Sequence, residues 1–218
     1  MKLIKIASAF AIGLLMVNCT DLEESLTNEA PLPESAISAT ETFLSTSFAH
    51  MHHRQFLSRE MAQALMFRSD MMAIGRTGVQ ERIDHDDFTV EASNGLIDTY
   101  WPRVYQIIGS ANQALVNISG LNAAEDDAEI NEIIGRARFA RAFAYFHLVR
   151  QFGAVPYLDE NSQVIDLPNT TRLPAEEVYA NIIADLEFAK QWLPDTQATR
   201  AIPAKSAASG YLALVYFS

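Results

Sequence analysis

The chain has 218 residues, 49% of them apolar and 20% charged, which is enough for one domain with a real core. Its formal charge of −11 excludes the basic footprint that nucleic acid or an anionic lipid surface requires. With a single cysteine, Cys19, no intramolecular disulfide can form.

Residues 1–18 have the three-part form of an export leader. Lys2 and Lys5 supply the positive end and Ile6 to Val17 the apolar run. That run is shorter than the about 20 apolar residues a bilayer span needs. Leu15-Met16-Val17-Asn18-Cys19 resembles a bacterial lipobox, with Asn18 where a small residue usually stands. This resemblance implies that residues 1–18 are a lipoprotein signal peptide and that Cys19 is acylated. Buried acyl CH2 groups, each worth about 0.8 kcal/mol, would then hold the protein on a membrane. The alternative is an ordinary cleaved leader with an incidental cysteine. Residues 19–33 are polar, contain Pro31 and Pro33, and read as the tether between lipid and fold.

Residues 34–218 read as helical throughout. Ile37, Leu44, Phe48 and Met51 trace a first helical stripe to about residue 53. A second helix is predicted over 58–68, with Ser58 as N-cap and Met61, Leu65 and Met66 inward. Residues 69–98 lose the period and predict a long ordered loop with short helical pieces; loops of this length are often functional. Pro102 fits a first turn, so the next helix is expected to start near Tyr100, with Trp101, Tyr105, Ile108, Asn112 and Leu115 on one face. An acidic connector over 119–127 follows.

The stretch 135–156, GRARFARAFAYFHLVRQFGAVP, carries the most information. Ala137, Ala140, Ala144 and Leu148 share one helical face, flanked by Phe139, Phe143 and Phe146. Small residues on a stripe let a second backbone approach, and the aromatic rings fill the space around it. The helix is predicted over about 128–152, ended by Gly153 in a left-handed conformation and by Pro156. Glu132 stands four residues before Arg136, the favourable order for a helical ion pair. Arg141 and Tyr145 are expected to be packed, with the arginine neutralised nearby. Residues 154–172 read as irregular. Pro174 then opens a helix buried through Val178, Ile182, Leu186, Ala189 and Leu193 and ended by Pro194. Pro203 opens a last one, with Ala204, Ala208, Tyr211 and Val215 on one side. Strand-like alternation is sustained nowhere. The expected fold is all-α, a tetratricopeptide-like superhelix of helical pairs with long irregular loops, although the formal repeat signature of that class is not cleanly present.

The motif of 135–156 resembles the central helix of the SusD/RagB family, the outer-membrane nutrient-binding lipoproteins of Bacteroidetes. Three further segments fit in order: Trp101-Pro-Arg-Val-Tyr105 through Asn112, Glu177-Val-Tyr179 through Leu193-Pro194, and Lys205-Ser-Ala-Ala208 through Tyr216. Asp21-Leu-Glu-Glu24 also resembles the acidic tag that directs such lipoproteins to the cell surface. The resemblance implies capture of an oligosaccharide outside the cell. It implies delivery to a SusC-like TonB-dependent transporter and attachment to the outer membrane through the lipid. Members are more than twice this length, so the sequence reads as the N-terminal part of a larger domain, truncated at its C-terminus.

By the same resemblance, part of the ligand surface comes from the loop before the Trp101 helix. Its candidate contacts are Asp70, Arg76, Arg82, Phe88 and Asn94. His50, His52 and His53 lack an acidic partner at helical spacing and read as surface or interfacial histidines. Asp84-His85-Asp86-Asp87 lacks the spacing of a calcium loop. No metal or cofactor is therefore expected. Neither a Gly-x-Ser-x-Gly elbow, nor His-Glu-x-x-His, nor a phosphate-binding glycine loop is present, and no enzyme activity is expected. A peptide-binding member of the same family and a helical-repeat adaptor without a small ligand remain as alternatives.

Overall fold

The five longest helices pack on one another in chain order. The computed structural model describes residues 34–69, 71–75, 78–120, 127–162 and 170–218. They form α1 (Glu34–Met51), α2 (Glu60–Phe67), α3 (Gln80–Asp86), α4 (Gly95–Ser119), α5 (Ala128–Phe152), α6 (Ala175–Trp192) and α7 (Lys205–Tyr216). α1 packs on α4, α4 on α5, α5 on α6 and α6 on α7. The expected all-α architecture of paired helices is thus the observed one. α2, α3 and a short π-type segment, Arg54–Ser58, pack together beside this stack. The extended pairing among the described residues is a two-residue ladder, β1 (Val155–Pro156) antiparallel to β2 (Arg172–Leu173), with Val155 opposite Leu173.

α5 sits at the centre. The Asp127 carboxylate caps it by accepting the N–H groups of Glu129 and Ile130, satisfying two otherwise free donors. Ala137, Ala140, Ala144 and Leu148 are all buried, as predicted, and so are Phe139 and Phe146. The Gly153 N–H still reaches the Val149 carbonyl at 2.9 Å, but φ of +67° with ψ of −122°, open to glycine and outside the expected left-handed helical region, turns the chain away and ends the helix.

Arg141 is the polar centre of this packing and is only 4% exposed. Its Nε and Nη2 donate to the two Asp185 oxygens on α6 at 2.7 and 2.9 Å. Its Nη1 donates to Asn112 Oδ1 on α4 at 3.0 Å and also to the Glu160 carboxylate. Burial opposes the charge on Arg141, but the hydrogen bonds and charge of Asp185 outweigh it and raise the guanidinium pKa above its ordinary value. The segment after β1 is tied to the same helices. Tyr145 accepts the Leu158 N–H at 2.6 Å, Asn112 Nδ2 donates to the Leu158 carbonyl at 3.0 Å, and the Tyr105 hydroxyl donates to the Pro156 carbonyl at 2.7 Å.

Several local expectations are corrected. In α2 the buried residues are Glu60, Met61, Ala64 and Phe67, while Leu65 and Met66 face solvent. The inward stripe therefore runs through Met61, Ala64 and Phe67, and only Met61 was placed correctly. Ser58 does not cap α2; it ends the π-type segment, and Arg59 precedes the helix. α4 starts at Gly95, capped by Asn94, rather than near Tyr100. Pro102 is therefore a helix-interior proline, normally costly. Here both its ring and Asp98, whose carbonyl loses a donor, lie on the exposed side. Tyr100, Val104, Ile107, Ile108 and Ala111 form the fully buried face, and Trp101 and Tyr105 stand at its edge. Trp101 packs there against Phe152, with ring centroids 4.9 Å apart.

The Glu132–Arg136 pair forms only at 4.0 Å. Arg136 instead reaches across to Glu41 on α1, at 2.5 and 3.1 Å. Ser47 of α1 likewise donates to the Ile107 carbonyl of α4 at 3.0 Å. α7 begins at Lys205 and buries Ala208, Leu212 and Val215, while Leu214, Tyr216 and Phe217 are exposed.

Removing one partner from the Arg141 cluster strands a buried charge. Arg141→Ala or Asp185→Ala should each lower unfolding free energy by about 3–5 kcal/mol in urea titration. The paired change Arg141→Met with Asp185→Leu should lose less than either. A second prediction concerns His147, which packs against Phe143 with ring centroids 4.7 Å apart. Burial, and then the charge of Arg150, push its pKa down to about 4. Between about pH 6.5 and 4 the unfolded chain binds the extra proton at this site, so the stability that neutral His147 allows is lost as pH falls through that window. His147→Phe should flatten this part of a melting-temperature profile against pH.

Candidate functional site

The region predicted as a loop is partly helical. Residues 71–75 are held to α3 where the Ile74 N–H donates to Asp86 Oδ2 at 3.1 Å. α3 is held to α4 by Asn94. The Asn94 Oδ1 accepts the Leu96 N–H at 3.1 Å, and its Nδ2 donates to the Glu81 carbonyl at 2.9 Å and to Asp84 Oδ2 at 3.2 Å. Asn94 is 6% exposed, and both amide hydrogens are used by the fold. It serves as a cap and a fastener. The sequence signal for that role was an asparagine immediately before Gly-Leu at a helix start.

Arg82 is half-buried on α3. It borders a polar cleft of about 290 Å3 shared with Arg54, Glu60, Glu81 and Thr99. Arg54 is itself engaged, its Nε and Nη2 donating to Glu60 Oε1 at 3.0 and 2.8 Å. The cleft therefore presents charges of both signs and several groups able to meet hydroxyls.

Phe88 is the most unusual residue of the region. It follows α3 with a φ of +58° and is 72% exposed. The Asp87 N–H donates to the Ile83 carbonyl at 2.8 Å and the Thr89 N–H to the Asp84 carbonyl at 2.9 Å. The second of these is the 6→1 bond of a Schellman-type ending, with Phe88 in the left-handed position that glycine usually fills. A bulky residue there is a conformational outlier, costing about 1–2 kcal/mol.

The structure thus gathers Arg82, Phe88 and Asn94 around α3 and its two ends. Asp70 and Arg76 lie outside the described residues, as do Cys19, the leader and the tether. Of the histidines, His50 pairs through Nδ1 with Arg103 Nη1 at 2.9 Å, and His53 Nδ1 accepts the Gln55 N–H at 3.3 Å. Among the described residues no group of three or more His, Cys, Asp or Glu is placed to hold a metal ion. No helix among them is long and apolar enough to cross a membrane. Sequence reasoning did not find a concavity of about 760 Å3 bordered by Phe48, Met51, Leu57, Phe139, Phe143 and Ile202. Its walls come from four separate parts of the chain, which no local pattern brings together.

Comparison with known proteins agrees with this architecture. Residues 27–217 match a family model, SusD-like_3, described as starch-binding associating with outer membrane. SusD-like protein P2 of Formosa agariphila is 40% identical over 210 residues, covering 94% of this chain and 41% of that protein. This chain therefore spans about two fifths of that relative's length. A SusD superfamily protein from Bacteroides vulgatus superposes with a TM-score of 0.73 at 18% identity, over 82% of this chain and 39% of the other. A laminarin-binding SusD-like protein gives 0.70 at 22% identity, over 83% and 40%. At those identities the two structures speak for the fold alone. The match over nearly the whole helical region, joined to the sequence relative, means that the chain belongs to the SusD-like family.

Proposed function

We propose that this protein binds a nutrient glycan or oligosaccharide at the cell surface and delivers it to a SusC-like TonB-dependent transporter in the outer membrane. In this reading residues 1–18 are the lipoprotein signal peptide, Cys19 carries the lipid and residues 19–33 form the tether. The helical domain of 34–218 is then the rigid scaffold. The anchor raises the local concentration of scaffold at the transporter, so handover does not wait on diffusion from solution. No covalent step is involved.

The observation that carries the binding part is Phe88. A large aromatic ring that is both strained and exposed costs stability through its backbone and recovers little of it through burial. Such a ring offers a flat apolar face to the C–H side of a sugar. The polar cleft at Arg82 offers partners for hydroxyls, which lose water on binding and need replacements. The family description, starch-binding, supports the same ligand class.

Two measurements test this. Phe88→Gly should raise unfolding free energy by about 0.5–1 kcal/mol, because glycine relieves the left-handed strain and gives back part of the gain in chain entropy. Phe88→Ala should weaken binding of laminari-, malto- or xylogluco-oligosaccharides about tenfold in calorimetry, equivalent to about 1.4 kcal/mol. A clear preference for peptides over every glycan in the same titrations would overturn the sugar reading. Mass spectrometry of the exported product should find acyl chains on Cys19.

A further inference from the structure

Arg103 on α4 is a half-buried cation without an anion. Its Nη1 donates to His50 Nδ1 at 2.9 Å and to Gln106 Oε1 at 2.6 Å, and its Nη2 donates to Gln55 Oε1 at 3.2 Å. Its Nε is buried without a partner, and no carboxylate among the described residues pairs with it. One guanidinium thus ties α4 to the last turn of α1, through His50, and to the π-type segment, through Gln55.

Arginine has no acceptor, so His50 Nδ1 must be the acceptor and the ring proton must sit on Nε2. The same holds for His53, whose Nδ1 accepts the Gln55 N–H at 3.3 Å and caps the π-type segment. Both contacts require an unprotonated Nδ1. A proton there turns an acceptor into a donor facing another donor. At His50 it also sets one cation against another.

We propose that this junction is an acid-released latch, in which protonation of His50 drives off Arg103, loosens Arg54–Ser58 from α1 and α4, and opens the wall that this segment gives to the concavity of about 760 Å3. The device is independent of the ligand class proposed above.

The groups around His50 all favour its neutral form. α4 presents Arg103 and the uncharged Gln106. The link after α1 presents His53, about one turn away. The π-type segment presents the uncharged Gln55, and its Arg54 is engaged by Glu60 of α2. α5 reaches α1 through Arg136 and Glu41, more than two turns before His50. Burial, and then Arg103 and His53, accordingly lower the His50 pKa below its ordinary 6.5. With the closed-state pKa lowered, the opened junction binds the proton more readily. The latch therefore holds above about pH 6.5 and weakens as pH falls below it. What it holds is part of the core edge. Phe56 is 0% exposed and stacks on Tyr100 with ring centroids 5.5 Å apart. Leu57 and Ser58 wall the concavity together with Phe48 and Met51 of α1.

The test follows amide exchange and labelled imidazole nitrogens in the 218-residue chain between about pH 7.5 and 5.5. At the upper end the His50 ring should carry its proton on Nε2. Protection of the Gln55 and Phe56 amides, corrected for intrinsic exchange, should fall about three- to tenfold, ten being the limit for one group whose open-state pKa lies about one unit above the final pH. His50→Gln, whose amide oxygen accepts from Arg103 at any pH, should abolish the fall. Arg103→Met should show the low protection at both ends of the range. The latch is overturned if wild-type protection does not fall, or if Arg103→Met keeps full protection at the upper end. A fall that survives His50→Gln also overturns it, placing the titrating group elsewhere, at His53 or His147.

Discussion

One buried guanidinium fixes the relative placement of three helices. Arg141 projects from α5 and is claimed at once by Asp185 on α6, by Asn112 on α4 and by Glu160 after β1. A charge so far from water is tolerable only when its donors are met, so each partner must sit where the planar fork points. Apolar packing alone would let helices slide or rotate by small amounts at little cost. The fork does not. The alanines of α5 bring neighbouring backbones close, and Arg141 sets the register at which they meet. Tyr145, one turn further on, carries the same constraint to Leu158 and so to the strap that crosses the helices.

The candidate binding elements sit away from this fixed centre. α2 and α3 are short and pack beside the stack; Met61 and Ala64 of α2 join its apolar core, and polar contacts from Asn94, Asp86 and Arg54 tie down the rest. That arrangement separates two tasks. The long helices carry most of the burial, and α3 with its flanks carries an exposed aromatic ring and a mixed-charge cleft. A strained backbone at Phe88 is affordable because the core does not depend on it.

Legibility followed helix length and the number of packed faces. α5 and α6 were readable because eighteen or more residues display several turns of one period, and their ends carry recognisable caps and prolines. α2 has eight residues, barely two turns, so a stripe through Leu65 and Met66 looked as good as the real one through Ala64 and Phe67. The start of α4 was misplaced because a general preference, proline in a first turn, was applied where the ring simply faces solvent and Asn94 makes a better cap. Trp101 was expected on the core face and stands at its edge, since aromatic size says nothing about which side of a stripe is deepest. Neutralisation of Arg141 was foreseeable from its place on an apolar helix. Its partner was not, because Asp185 lies 44 residues away and many acids were available.

The pairing of α1 with α4 has a consequence for synthesis. α1 finds no long partner in α2 or α3; its apolar face waits for residues up to about 119. At about 5–20 residues per second, a ribosome leaves that face uncovered for between about 3 and 14 seconds. During that interval Leu44 and its neighbours are available to any other sticky surface nearby, a nascent copy included. Whatever escorts this polypeptide before it folds must therefore hold its earliest helix longest.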